Sequence, residues 1–162
     1  MRTIVREGLI AGFIGATSVA LWFFVIDLIA LYPFATPDTL GRALFGLLGQ
    51  PAAGVANLLV VLGYTAFHYL AFALVGIAVA ALVRRAEAEP TLLAGAFILF
   101  IVFEVAFHAL LSMFGSIAVF GAMTWYNVAI GNLVAAATMG TYVWRAHPEL
   151  KAELNFALSG RE

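Results

Sequence analysis

The sequence predicts an all-α integral membrane protein: an antiparallel, up-down bundle of four transmembrane helices with a short amphipathic helix in the first outer loop. Three observations carry this expectation. The 162 residues are 64% hydrophobic and only 10% charged, with a mean hydropathy of +1.05. The apolar residues fall in four long segments, and the basic residues gather on one side of them. An ordinary soluble domain is about 45–50% apolar and about 25% charged, and a domain of this size leaves too much surface exposed to hide so apolar a composition from water.

The segments run over about 8–31, 55–83, 91–114 and 124–144. Each has the roughly 20 residues that span about 30 Å of hydrocarbon. A helix satisfies its own backbone within one segment, and none of the four shows the alternation of a barrel strand. The first segment follows Arg2 and Arg6, as a signal peptide would. Its apolar run is too long for a signal core and no small-residue cleavage site precedes Pro33, so a retained helix is expected. The whole chain, 1–162, is expected to be a single transmembrane domain with a polar tail over 148–162.

Of the eight Lys and Arg residues, Arg2, Arg6, Arg84, Arg85, Arg145, Lys151 and Arg161 lie on one side of the segments, and only Arg42 lies on the other. This bias predicts a multi-pass protein of the cell (inner) membrane with both termini cytoplasmic. Trp125, Tyr126, Tyr142 and Trp144 sit where interfacial aromatic belts belong.

The link between the first two segments is the only long one. Thr36, Pro37 and Asp38 read as an N-cap, a first-turn proline and a first-turn acid. Leu40, Leu44, Leu47 and Leu48 follow at helical spacing until Gly49-Gln50-Pro51. An amphipathic helix over about 39–48 is expected, lying on the outer surface. Gly8, Gly12, Ala16 and Ala20 recur every four residues, as do Gly131 with Ala135 and Ala136 with Gly140. Such small residues let helices approach closely, and contacts inside one bundle are expected of them rather than a seam between copies.

Composition excludes several functions. The net charge is −1 and no basic run exceeds two residues, which argues against nucleic acid as a partner. The absence of cysteine removes disulfide scaffolds, thiol redox chemistry, Cys-ligated metals and the four-helix quinone–disulfide enzymes. No phosphate-binding glycine loop, nucleophile elbow or zincin motif occurs.

What remains is a set of polar residues inside the apolar segments: Asp27, His68, Glu104 and His108, with Asn127 and Asn132. Ionisable groups in a bilayer are costly and normally face a bundle interior or a cavity. Counted from the cytoplasmic ends at 1.5 Å per residue, His68, Glu104 and Asn132 lie roughly 18–22 Å up. Asp27, His108 and Asn127 lie roughly 26–28 Å up. Glu104 and His108 share a helix face, and His68 shares its stripe with Asn57, Val61, Tyr64 and Phe72. The two asparagines lie about 140° apart, so only one is expected to reach a shared site, and Asn127 is favoured.

Two imidazoles and two carboxylates form an N/O ligand set for Zn, Fe, Mn or Cu. The expected ligands are His68, Glu104, His108 and Asp27, supported by Asn127 and Tyr64. The single Glu-x-x-x-His fits a mononuclear site better than a dinuclear one. His68 and His108 could alternatively be the axial ligands of a haem. A second reading needs no metal: Glu104 and a histidine form an acid/base or proton-carrying pair for a lipid-soluble ligand. A third makes the cluster a hydrogen-bonded knot in a structural subunit or assembly factor. The sequence names no substrate and no oligomeric state.

Overall fold

The computed structural model describes residues 2–47, 57–86 and 125–148, together with 89, 91, 92, 95, 97, 98, 100–102, 104 and 105. Among them every regular element is helical and none is a strand. The elements are α1 (Arg2–Ile29), α2 (Ala35–Leu47), α3 (Asn57–Ala86) and α4 (Trp125–Ala146). The described residues of 91–105, apart from the gaps, are helical as well. The rest of the expected third segment and the tail beyond 148 lie outside the described residues.

Among the described residues two helices are long and apolar enough to cross a membrane, over Thr3–Ile29 and Leu58–Ala86. The expectation of four such segments is therefore met in part. α4 has 22 residues, about 33 Å of helix. Asn127, Asn132, Thr138 and Thr141 make it less apolar than α1 and α3. The two apolar stretches are only 33% and 17% buried, so most of their surface faces outward. On α1 the outward face carries Leu9, Phe13, Leu21, Val25 and Leu28, and on α3 Leu59, Leu62, Leu70 and Leu74. Soluble monomers rarely expose apolar patches of this extent.

α1 is the centre of the fold. It packs along α3 on one side and α4 on the other, while α3 and α4 touch at few points. The contact with α3 is made by backbone. A Cβ on Gly8 would meet the Ile77 nitrogen at 2.7 Å and the Gly76 carbonyl carbon at 2.9 Å. One on Gly76 would meet Gly12 N at 2.6 Å as well as the Gly8 carbonyl. The Gly8–Gly12–Ala16 stripe thus works as an intrachain seam, and Ala16 is fully buried. Ala20 drops out of it and is exposed. On α4, Gly131 lies against Trp22 and Phe23, and Ala135 is buried in a cluster with Val19, Phe23 and Val128. Ala136 and Gly140 are exposed, and a Cβ on Gly140 would meet no described atom within 4 Å. At the other end Ala11, Val83, Ala86, Met139 and Val143 join all three helices.

α1 begins near Arg2 and stops at Ile29, shifted toward the N-terminus from the expected span. Its stop is a Schellman turn: Tyr32 N–H donates to the Asp27 carbonyl at 3.0 Å and Leu31 N–H to that of Leu28 at 3.0 Å. The left-handed position usually given to glycine is held by Leu31 (φ 58°), and Phe34 (φ 68°) is left-handed too. Each costs of order 1–2 kcal/mol, so the corner must be held by other contacts. Those contacts also start α2 earlier than expected, at Ala35. Thr36 is consequently not the N-cap but lies inside the first turn.

α2, expected to lie on a surface, is joined to the other helices. It packs against the side of α3, where a Cβ on Gly41 would meet Val60 Cγ1 at 2.6 Å and Tyr64 Cβ at 3.2 Å, and the Phe45 ring covers Gly63. Arg42 Nε donates to Asp38 one turn earlier at 3.0 Å.

Overpacking a close backbone contact costs about 1–3 kcal/mol, so Gly12→Ala should lower stability by that amount in detergent-solubilised protein. Gly46 meets no described atom within 4 Å, and Gly46→Ala should be neutral or raise stability by up to about 1 kcal/mol through helix propensity. Thermal unfolding of the two variants separates the effects. Equal stability of Gly12→Ala and wild type would refute the seam.

Candidate functional site

Asp27 is buried to 1% exposure at the last turn of α1. Its carboxylate accepts from Thr36 N–H at 2.9 Å and from the Thr36 hydroxyl at 2.8 Å. The free amides at the start of α2 are thereby satisfied. Ala35 N–H reaches the Tyr32 carbonyl, Thr36 N–H reaches Asp27, Pro37 has no N–H, and Asp38 N–H reaches the Phe34 carbonyl. A carboxylate at a helix N-terminus is also favoured by the helix dipole. Asp27 thus caps α2 from the neighbouring helix. The sequence pattern of Thr36-Pro37-Asp38 marked the right place, but the short link from Asp27 to Thr36 lets a stronger acceptor take the cap.

His68 lies half-buried on α3, facing α1. Its Nε2 is 3.1 Å from the Ala16 carbonyl. A carbonyl only accepts, so this bond requires the proton on Nε2 and leaves Nδ1 as an acceptor in the neutral ring. The ring stacks on Tyr64 (centroids 6.0 Å), tilts against Phe72 (4.8 Å) and meets Tyr69 edge-on (5.9 Å). The expected Tyr64–His68–Phe72 stripe is therefore present. The Tyr69 hydroxyl lies 3.0 Å from Thr17 Oγ1. Thr17 gives its own proton to the Phe13 carbonyl at 2.8 Å, so Tyr69 is the donor.

Glu104 accepts from the Asn132 side-chain amide at 2.8 and 3.0 Å, joining the 91–105 stretch to α4. Asn132 therefore meets this carboxylate, whereas the sequence had favoured Asn127 for the shared site. The Asn127 carbonyl accepts instead from the Trp22 indole at 3.0 Å. The two asparagines thus serve different surroundings, as their angular separation requires. The Ser18 and Thr138 hydroxyls lie 3.1 Å apart, so one donates to the other while the second donates to a carbonyl of its own helix. Sequence reasoning passed over the indole of Trp22, which needs an acceptor when half-buried. It also passed over His147, which lies 3.6 Å from Glu7 where the start of α1 meets the end of α4.

The expected ligands are thus distributed among different partners. Asp27 is engaged by Thr36, His68 by Ala16 and Glu104 by Asn132. On α1 the His68 contact is level with Ala16, whereas Gly131, next to Asn132, is level with Trp22. Those two positions are roughly 9 Å apart along the helix. Among the described residues no three His, Asp or Glu side chains lie close enough to hold a metal ion. His108 lies outside the described residues. In comparisons with protein-family models, curated proteins and solved structures, nothing matches this chain.

The Asp27–Thr36 cap is open to a double-mutant cycle. Asp27→Ala and Thr36→Val should each destabilise by about 1–3 kcal/mol, as loss of a buried hydrogen-bond partner does. The double variant should cost less than their sum by about 1 kcal/mol or more. Additive losses in chemical unfolding would show that the two residues act separately.

Proposed function

We propose that this chain is a multi-pass protein of the cell (inner) membrane whose interior polar residues act, without a metal, as an acid/base or proton-carrying site for a lipid-phase ligand. In this reading α1, α3, the 91–114 segment and α4 form a four-helix transmembrane bundle with both termini cytoplasmic. The observation that carries it is the Glu104–Asn132 pair. A carboxylate held between helices by a neutral amide is the kind of group that carries protons within membrane proteins. A half-buried imidazole with one nitrogen anchored to Ala16 supplies a second proton-exchanging group on the α3 side of α1. Asp27 has a separate task as the cap of α2, which weakens the four-ligand metal set of His68, Glu104, His108 and Asp27.

Metal or haem bound by His68, Glu104 and His108 is the rival outcome, and one preparation tests both. Purified protein should show no Soret band and no stoichiometric Zn, Fe, Mn or Cu. Its infrared spectrum should contain a carboxylic C=O stretch that comes and goes with pH and is missing in Glu104→Gln. Stoichiometric metal or haem that is lost in His68→Ala and Glu104→Gln would replace the proposal with the metal reading.

The orientation has its own check. Single cysteines placed at Ala52 and Ala88 of this cysteine-free chain should react with a membrane-impermeant reagent from outside and inside the cell respectively. The opposite pattern would invert the bundle.

A further inference from the structure

Tyr64 and His68 stand one helical turn apart on α3, with their rings stacked at an interplanar angle of 29°. Around them the polar side chains are paired: Tyr69 with Thr17, Ser18 with Thr138, Trp22 with the Asn127 carbonyl and Glu104 with Asn132. Two atoms differ. Among the described residues nothing donates to His68 Nδ1, and the Tyr64 hydroxyl has no hydrogen-bond partner. The only sealed side-chain oxygens or nitrogens without a partner, among the described residues, are on Glu7 and Asp38. One open acceptor and one open donor therefore stand together on an aromatic face, bounded by Phe72 and Tyr69 on α3, Gly41 of α2 and Ala16 of α1.

We propose that Tyr64 and His68 bind the head group of a lipid-soluble hydroquinone. One ring hydroxyl donates to His68 Nδ1, and the other oxygen accepts from the Tyr64 hydroxyl. The ring packs on the aromatic face, and the tail runs out between the helices along the apolar surface of α3. The chemistry selects this class. Lying 7 and 11 residues into α3 from Asn57, the pair is roughly 10–17 Å from the helix end. That is deep for a phospholipid head group. A planar ring that both donates and accepts satisfies both open atoms and fits aromatic packing geometry. A metal ion would take the imidazole nitrogen and leave the neutral phenol O–H unsatisfied. The inference rests on the reading of a lipid-phase ligand and names its class. It concerns binding alone.

The test uses the full chain in lipid nanodiscs, with decyl-hydroquinone and its dimethyl ether as probes. The hydroquinone should bind saturably and shift the His68 Nδ1 resonance in ¹⁵N-histidine-labelled protein, leaving Nε2 on its carbonyl. The ether keeps the ring and tail but lacks the donor, and it should bind about tenfold more weakly. Tyr64→Phe keeps the stacked ring and should also weaken binding about tenfold. His68→Phe should abolish the specific component. Because it also cuts the bond to Ala16, the ether and Tyr64→Phe keep the test independent of folding. Equal binding of the ether, wild-type affinity in Tyr64→Phe, or no saturable binding overturns the proposal. So does a Nδ1 shift given by Zn²⁺ and not by the hydroquinone. The pH-dependent Glu104 carboxyl band distinguishes the two levels. If it persists while hydroquinone binding fails, the ligand class is wrong and the acid/base reading stands. If it is absent, that reading has failed as well.

Discussion

The close contact of α1 with α3 sets the positions of the other polar groups. Gly8 and Gly12 of α1 meet Gly76, Ile77 and Phe72 of α3 with almost no side chain between the backbones. At such a distance the two helices cannot slide without a collision. The register brings the Ala16 carbonyl under His68 and Thr17 under Tyr69. Small residues contribute here by absence. Each one removes the atoms that would hold a neighbouring helix off, and the dispersion contacts and hydrogen bonds that follow stabilise the pair. On the opposite side of α1 the same economy recurs with Gly15 against Met139 and Gly131 against Trp22, which sets Ser18 beside Thr138.

With α1 fixed between its neighbours, the corner at its end becomes affordable. Leu31 and Phe34 both adopt a left-handed backbone without being glycine. Asp27 offsets that strain twice, since its carbonyl closes the Schellman turn and its carboxylate caps α2. α2 is then aimed at α3, where Gly41 and Gly63 let it seat closely on Val60 and take the Phe45 ring. One buried acid thus converts a turn of apolar residues into the hinge that positions a whole helix.

The sequence displayed its helices, its small-residue seams and its aromatic stripe on α3 because each rests on a short-range period. Glycine every four residues and Tyr64, His68 and Phe72 at the same spacing need no tertiary knowledge to be read. Pairings between helices were less legible. Depth along a span says which residues are level only if all helices start at the same height and run straight, and α1 and α3 each extend beyond the expected spans. Of the polar residues expected in two layers, the described ones Asp27, His68, Glu104, Asn127 and Asn132 are consequently divided among contacts whose levels follow the helix crossings. The capping role of Asp27 was hidden for a different reason. Its partner lies nine residues away across a turn whose backbone strain no composition rule reveals. The Glu104–Asn132 pair was not legible either, because a helix wheel gives the angle between two residues but not the direction of the neighbouring helix.

A polar group in an apolar surrounding normally ends in a partner, because leaving it unmade costs the full desolvation of that group. Most polar side chains along α1 and its contacts obey this rule, and each such pair is explained once its partner is named. The paired groups therefore account for shape: they fix register, cap α2 and tie the 91–105 stretch to α4. The groups that account for shape are poor candidates for binding, since any ligand must first displace an internal partner. Tyr64 and His68 are in the reverse position. Their rings are held by stacking and by the Nε2 bond to Ala16, so the scaffold does not need the phenol hydroxyl or Nδ1. A rigid ring with an uncommitted polar atom is already organised for a ligand and loses little entropy on binding it. In this bundle the separation between residues that hold the fold and residues that are free to act runs through single side chains, with one nitrogen of His68 on each side of it.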